Sequence, residues 1–140
     1  MHFRNTTPAD QEQIRQLLRE VFRANDNAPF LDPSNLAWKY YAERSDWPGS
    51  RSFVLAEDGR ILAHLCAWPF RVMWNGQIIT GFHPVDWAAR PEARGSGTQL
   101  IRQLRKLEDV LDIERACDAL EAFTAAGRYL QRDGTWAVAR

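Results

Sequence analysis

Val85-Asp86-Trp87-Ala88-Ala89-Arg90-Pro91-Glu92-Ala93-Arg94-Gly95-Ser96-Gly97-Thr98-Gln99-Leu100 is the stretch on which the fold turns. It passes from an extended segment through a proline into a loop with two glycines. Beyond the loop, Leu100, Ile101, Leu104 and Leu107 recur at three and four, the spacing of one helix face. Strand, loop, helix is the predicted order. The first N–H groups of such a helix have no partner within it, and glycine lets a backbone come close to a ligand. Arg94, Gly95, Ser96, Gly97, Thr98 and Gln99 therefore read as a seat for a diphosphate. The helix dipole alone adds about 0.3–1 kcal/mol for an anion there. Two glycines also make an ordinary tight turn, and the bare pattern does not separate these readings.

Upstream of the loop the period is two. Ser52 to Ala56 runs to Asp58-Gly59, and Arg60 to Trp74 runs to Asn75-Gly76, both dipeptides of tight hairpin turns. With Gln77 to Ala89 they predict three consecutive antiparallel strands. Pro69 is expected to interrupt the middle strand. Pro84 cannot donate to a ladder and is expected to bulge or splay the third strand near His83, although an ordinary edge bulge would leave the same trace. Nearer the N-terminus, His2 to Asn5 reads as a short strand. Thr7-Pro8-Ala9-Asp10 opens a helix with Ile14, Leu17, Leu18, Val21 and Phe22 in one stripe. Asp32-Pro33 opens a shorter helix carrying Leu36, Trp38, Tyr40 and Tyr41. Residues 110–115 suggest a strand, 117–126 a helix capped by Gly127, and 128–140 a hairpin turning at Asp133-Gly134.

The 140 residues suit one domain spanning 1–140, with Lys plus Arg and Asp plus Glu balanced at 18 each. That balance gives no reason to expect nucleic acid as a partner. The two cysteines, Cys66 and Cys117, lie far apart and suggest neither a metal motif nor a disulfide framework. No secretory segment precedes Arg4, and no apolar run nears the roughly 20 residues a membrane helix needs, so a soluble cytoplasmic protein without membrane partners is expected. Six tryptophans in so short a chain favour a grooved domain in which indoles line a cleft.

The stretch from Pro91 to Gly97 resembles the fingerprint of the GNAT acetyltransferase superfamily: a fourth strand ending near a proline, then Arg or Gln, two residues, Gly, one residue, and Gly or Ala. Arg94 and Gly97 match, and Gln99 stands where Gly or Ala is usual. The order of elements over nearly the whole chain is similar to that family. The chain also looks like a branch of it with a Trp-Lys-Tyr segment, here Trp38-Lys39-Tyr40. The resemblance implies an α+β fold, an α/β/α sandwich around a mixed, mostly antiparallel sheet of about six or seven strands with four helices. It further implies acetyl-CoA as acyl donor, with the diphosphate on residues Arg94 to Gln99 and the pantetheine arm along Trp87, Ala88 and Ala89. On this reading Gly97→Glu abolishes coenzyme binding and leaves the fold intact.

Acetyl transfer to an amine needs a group to take the amine proton and is helped by an acid for the departing thiolate. The resemblance places Asp86 where the family often carries the proton acceptor; an ion pair or turn contact is the other role open to it. His64 and His83 are spare bases, though a lone strand histidine more often serves packing, and His64 with Cys66 supplies too few ligands for a metal. The family's usual acid, a tyrosine four residues before the glycine ending the last helix, is replaced by Phe123. Tyr129 lies close in sequence and is the alternative acid, or else a core residue. Trp38, Tyr41 and Trp68 can present aromatic faces to a cationic or sugar acceptor, and core packing explains them equally well. Two functions follow. One is an N-acetyltransferase that passes the acetyl group to a small amine or a protein amine by direct attack on the thioester. The other is a non-catalytic acyl-CoA-binding or sensor module of the same fold. A homodimer is compatible with either.

Overall fold

Asp58 and Gly59 have φ of 49° and 75°, the pair of left-handed residues that a two-residue hairpin turn demands. They join β2 (Ser52–Glu57) to β3 (Arg60–Trp74), which pair antiparallel from Ser52↔Cys66 to Glu57↔Arg60. The computed structural model describes residues 1–74, 76–107, 129–132 and 135–138, with side chains over 1–73 and 76–107. Gly76, at φ 75°, leads from β3 into β4 (Gln77–Ala89), which pairs with β3. On the far side of β2 lies β1 (His2–Asn5), antiparallel from His2↔Ala56 to Asn5↔Phe53.

Contacts divide the chain into two units. The first comprises Met1–Ala67 with Pro84–Leu104 and the second Trp68–His83 with Arg105–Arg140. In the first unit the predicted helical stripe holds. α1 (Gln11–Phe22) buries Ile14, Leu17 and Leu18, while Phe22 stays half-exposed against Phe30. Each fully buried leucine or isoleucine contributes about 1.5–3 kcal/mol. A 3-10 turn over Pro8–Asp10 precedes α1 with Thr7 as its N-cap, and there the Asp10 carboxylate accepts from the Thr7 N–H at 2.9 Å in a capping box. α2 (Pro33–Tyr41) is capped by Asp32, which accepts from the N–H groups of Ser34 and Asn35 at 2.9 and 3.2 Å, and it buries Leu36 and Tyr40. β2 is buried at every residue from Ser52 to Ala56, so this strand is covered on both faces. α3 (Ser96–Leu104) buries Leu100 and Leu104 and ends before Leu107, one turn sooner than the apolar spacing suggests.

In the second unit, β5 (Tyr129–Arg132) and β6 (Thr135–Val138) form the expected final hairpin, and β6 runs parallel to β3 from Arg71↔Thr135 to Met73↔Ala137. The result is a mixed α+β fold with a largely antiparallel sheet. The predicted strand at 110–115, helix at 117–126 and turn at Asp133-Gly134 lie outside the described residues.

One local expectation is corrected. β3 runs through Pro69 without a break. The Ala67 N–H reaches the Arg51 carbonyl at 2.8 Å, and Pro69, two residues on, would donate in the same direction, past the end of β2, so the missing N–H costs no ladder bond. In β4 Asp86 has φ 50°, two residues after Pro84, an irregularity close to the expected splay. Ile79 and Gly81 are buried before it and Ala88 after it, so the kink exchanges the faces of the strand.

Candidate active site

The loop that follows β4 folds as two successive turns. The Ala93 N–H donates to Arg90 O at 3.0 Å and the Ser96 N–H to Ala93 O at 3.1 Å, after which Gln99 N–H to Gly95 O at 3.0 Å begins the helical ladder. Gly95 sits at φ 85°, a conformation glycine adopts without penalty. The amides of Ser96 and Gln99 are therefore engaged by the chain itself. The amides of Arg94, Gly95, Gly97 and Thr98 have no acceptor among the described residues. Ser96 is 2% exposed, and its hydroxyl is a buried polar group with no hydrogen-bond partner among the described residues. Buried orphans of this kind are costly. Free main-chain donors and a helix N-terminus thus lie together at residues 94–98, with the buried Ser96 hydroxyl among them, a donor set that suits a diphosphate.

Gly97 sets how closely α3 approaches β4. A Cβ there would stand 3.2 Å from Trp87 Nε1 and 3.3 Å from the Ala89 Cβ. Trp87, 44% exposed, therefore lies against the first turn of α3, and Gly97→Glu would disturb packing as well as charge, contrary to the expectation of an intact fold. Arg94 is exposed and makes no ion pair among the described residues. Arg90 is spent on the fold, donating to Ile61 O at 2.9 Å and to the Glu20 carboxylate at 2.8 Å.

Asp86 is the most heavily engaged of the predicted residues. The Lys39 ammonium lies 2.6 Å from its Oδ2, the Tyr40 hydroxyl donates to the same oxygen at 2.8 Å, and the two charged side chains are only 14% and 9% exposed. Oδ1 accepts from no described group, and it is not among the buried unpartnered atoms, so it is the oxygen that solvent or a substrate can reach. The Asp86 carbonyl meets His64 Nδ1 at 2.8 Å, and His64 Nε2 meets the Ser52 hydroxyl at 2.9 Å. A carbonyl only accepts, so Nδ1 carries the proton, Nε2 is bare, and Ser52 donates to it. Burial holds the His64 imidazole neutral, with its pKa pushed down to about 4. Burial, reinforced by the Asp86 carboxylate, pushes the Tyr40 phenol far above its ordinary range, so it stays a donor. A left-handed residue other than glycine costs about 1–2 kcal/mol, and these contacts from two sides hold it in place.

The remaining expectations resolve differently. Trp38 is 60% exposed on α2, next in sequence to Lys39. The Tyr41 hydroxyl is tied to the Thr6 hydroxyl and the Thr7 carbonyl at 2.8 and 2.7 Å, so it fastens α2 to the end of β1 instead of pointing to a ligand. Trp68 opens the second unit and is half-buried. His83 stacks on Phe70 with ring centroids 4.4 Å apart, a packing role. Cys66 is a buried free thiol that burial pushes up to about 12, so it is unreactive at neutral pH. Tyr129 begins β5, with its side chain outside the described residues, as is Phe123. The sequence reading missed Lys39, Tyr40 and Ser52 as partners of this site. The Trp38-Lys39-Tyr40 segment was visible, but nothing local tied it to Asp86.

Among the described residues no helix is long and apolar enough to cross a membrane, and no group of three His, Cys, Asp or Glu is placed to hold a metal ion. Residues 2–112 match the Acetyltransferase (GNAT) domain family. No curated protein matches the chain. Several solved structures share its fold. A probable N-acyltransferase from Enterococcus faecalis V583 is 18% identical with a TM-score of 0.58, over 77% of this chain and 26% of its own. A GCN5-related N-acetyltransferase from Anabaena variabilis is 16% identical with a TM-score of 0.58, over 78% of this chain and 26% of its own. A transcriptional regulator from Bacillus halodurans C-125 is 19% identical with a TM-score of 0.55, over 95% of both chains. The chain thus spans about a quarter of the length of the first two.

Proposed function

The chain belongs to the GNAT acetyltransferase family, and from that premise we propose that it is an N-acetyltransferase taking its acyl group from acetyl-CoA and passing it directly to a small amine or a protein amine. The observation that carries this reading is the cluster of unengaged amides at Arg94, Gly95, Gly97 and Thr98 around the orphaned Ser96 hydroxyl. These groups would hold the diphosphate, with Arg94 adding charge at the mouth and Trp87, Ala88 and Ala89 running beside the pantetheine arm. Acetyl-CoA supplies an acyl carbon already activated as a thioester. The chain supplies position and a proton acceptor: Asp86 Oδ1 binds the amine as its ammonium and takes one proton, the freed lone pair then attacks the thioester carbonyl, and collapse of the tetrahedral intermediate breaks the C–S bond while the second amine proton passes to the thiolate or to solvent. The departing thiolate is a good enough leaving group that a dedicated acid is helpful but not required.

Calorimetry with coenzyme A tests the loop. The wild type binds, and Thr98→Glu lowers affinity by at least about 30-fold, a loss of about 2 kcal/mol, because it sets a carboxylate against the diphosphate. Thr98 is exposed, and an acidic residue in a first helical turn is favoured by the dipole, so thermal stability is expected to hold or rise. Equal affinity in the variant would remove the loop from the proposal. Binding without thiol release on any amine would favour the sensor module.

A further inference from the structure

Acyl transfer, as proposed above, uses only Oδ1 of Asp86, yet the residue is gripped at two other atoms by groups that this chemistry leaves idle. Tyr40 donates to Oδ2 at 2.8 Å and the His64 Nδ1–H to the carbonyl at 2.8 Å. Both side chains are fully buried, and their rings lie 5.0 Å apart at a tilt of 49°. The Ser52 hydroxyl, at 2.9 Å, fixes the imidazole from its far edge. The carbonyl that His64 takes belongs to the left-handed residue in β4, so a side chain secures the strand at its kink.

We propose that Tyr40 and His64 are positioning residues for acyl transfer: Tyr40 fixes Oδ2 and His64 fixes the Asp86 carbonyl, so that Oδ1 alone faces the incoming amine. The inference rests on Asp86 as proton acceptor and adds what aims it. Without the Tyr40 hydroxyl, Oδ2 keeps only the Lys39 ammonium, which tolerates many angles, and the carboxylate can turn. Without the imidazole N–H, the kink loses its lock. Neither change touches the loop that binds coenzyme A.

The test is thiol release from acetyl-CoA with spermidine, glucosamine, lysine and a lysine-bearing peptide as acceptors, with coenzyme A affinity and thermal unfolding measured in parallel. Tyr40→Phe keeps the ring and is expected to lower kcat about 10-fold, with coenzyme A affinity and the KM for acetyl-CoA within about twofold of wild type. His64→Leu is expected to lower kcat about 30-fold, and His64→Asn, whose amide N–H can replace Nδ1–H, to recover to within about threefold. Asp86→Asn is the reference, since asparagine tolerates the left-handed backbone but cannot take a proton. If Asp86→Asn is inactive while Tyr40→Phe and His64→Leu turn over like wild type, the positioning role is overturned and the proton acceptor stands. Equal loss in His64→Leu and His64→Asn overturns the role of the imidazole N–H. Full activity of Asp86→Asn, or no thiol release by the wild type with any of the four amines, removes the underlying reading and this inference with it.

Discussion

At Asp86 a left-handed backbone and a nearly buried carboxylate coincide, and the Lys39 ammonium sits 2.6 Å from Oδ2. A charge pair this enclosed contributes little beyond what its desolvation costs, but breaking it strands one charge. Lys39→Met is therefore expected to destabilise the chain by about 2–3 kcal/mol, somewhat less than for a fully buried pair because both side chains keep slight exposure. The double variant Lys39→Met/Asp86→Asn should recover more than half of that loss, since it removes the stranded carboxylate. Urea unfolding of the two single variants and the double variant reads this coupling, and additive losses would show the pair to be independent. The sequence marks Asp86 as a candidate, and it displays Lys39 and Tyr40 side by side. It cannot join them, because the contact spans 47 residues and leaves no periodic trace.

Among the elements, those defined by local chemistry were the most legible. The Asp58-Gly59 turn, the stripe on α1, the Asp32 cap and the limits of β4 all follow from residues within a few positions of each other. Features decided across the sheet were not: the left-handed residue of β4 is Asp86, which bears no local mark, and Pro69 broke nothing. The C-terminal end of α2 belongs to this second class. Arg51 is buried and spreads its guanidinium over two carbonyls of α2 and the one just past its end, donating to Lys39 O at 2.8 Å, Trp38 O at 3.0 Å and Ala42 O at 2.6 Å. It thus supplies donors to carbonyls at the helix end and neutralises the negative end of the dipole. Arginine at the start of a strand carries no sequence signal for such a role. Arg51→Met should cost about 2–3 kcal/mol, because the Lys39 and Ala42 carbonyls lose their guanidinium donors while Trp38 O keeps only the Ala42 N–H, and Arg51→Lys should recover only part of it, since an ammonium cannot fork across three acceptors. Because Lys39 and Tyr40 lie on that last turn, Arg51→Met should also lower kcat while coenzyme A affinity holds. A stability change with unaltered turnover would confine Arg51 to the fold.

For the whole molecule, charge balance means that pH acts through particular groups rather than through net repulsion. His64 is the clearest of them. Its imidazole titrates near 6.5 when unfolded and is pushed down to about 4 by burial in the fold. Between those values the unfolded chain binds the proton that the folded chain refuses, so stability rises with pH across the window and is lost as pH falls through it. The shift corresponds to about 3 kcal/mol at full effect. Burial also depresses His83, in the same direction. Asp10 acts lower down: the Arg4 guanidinium holds its carboxyl at about 2 against an ordinary 3.8, so that contribution persists until the pH drops below the His64 window. Thermal unfolding scanned from pH 7 to pH 4 should therefore show a steady fall in Tm before the carboxylates protonate. His64→Asn, which has nothing to titrate there, should start lower and lose less over the same range. A wild-type profile as flat as that of the variant would mean that the imidazole is not held neutral. It would also leave the Nδ1–H that meets the Asp86 carbonyl without the tautomer assigned to it.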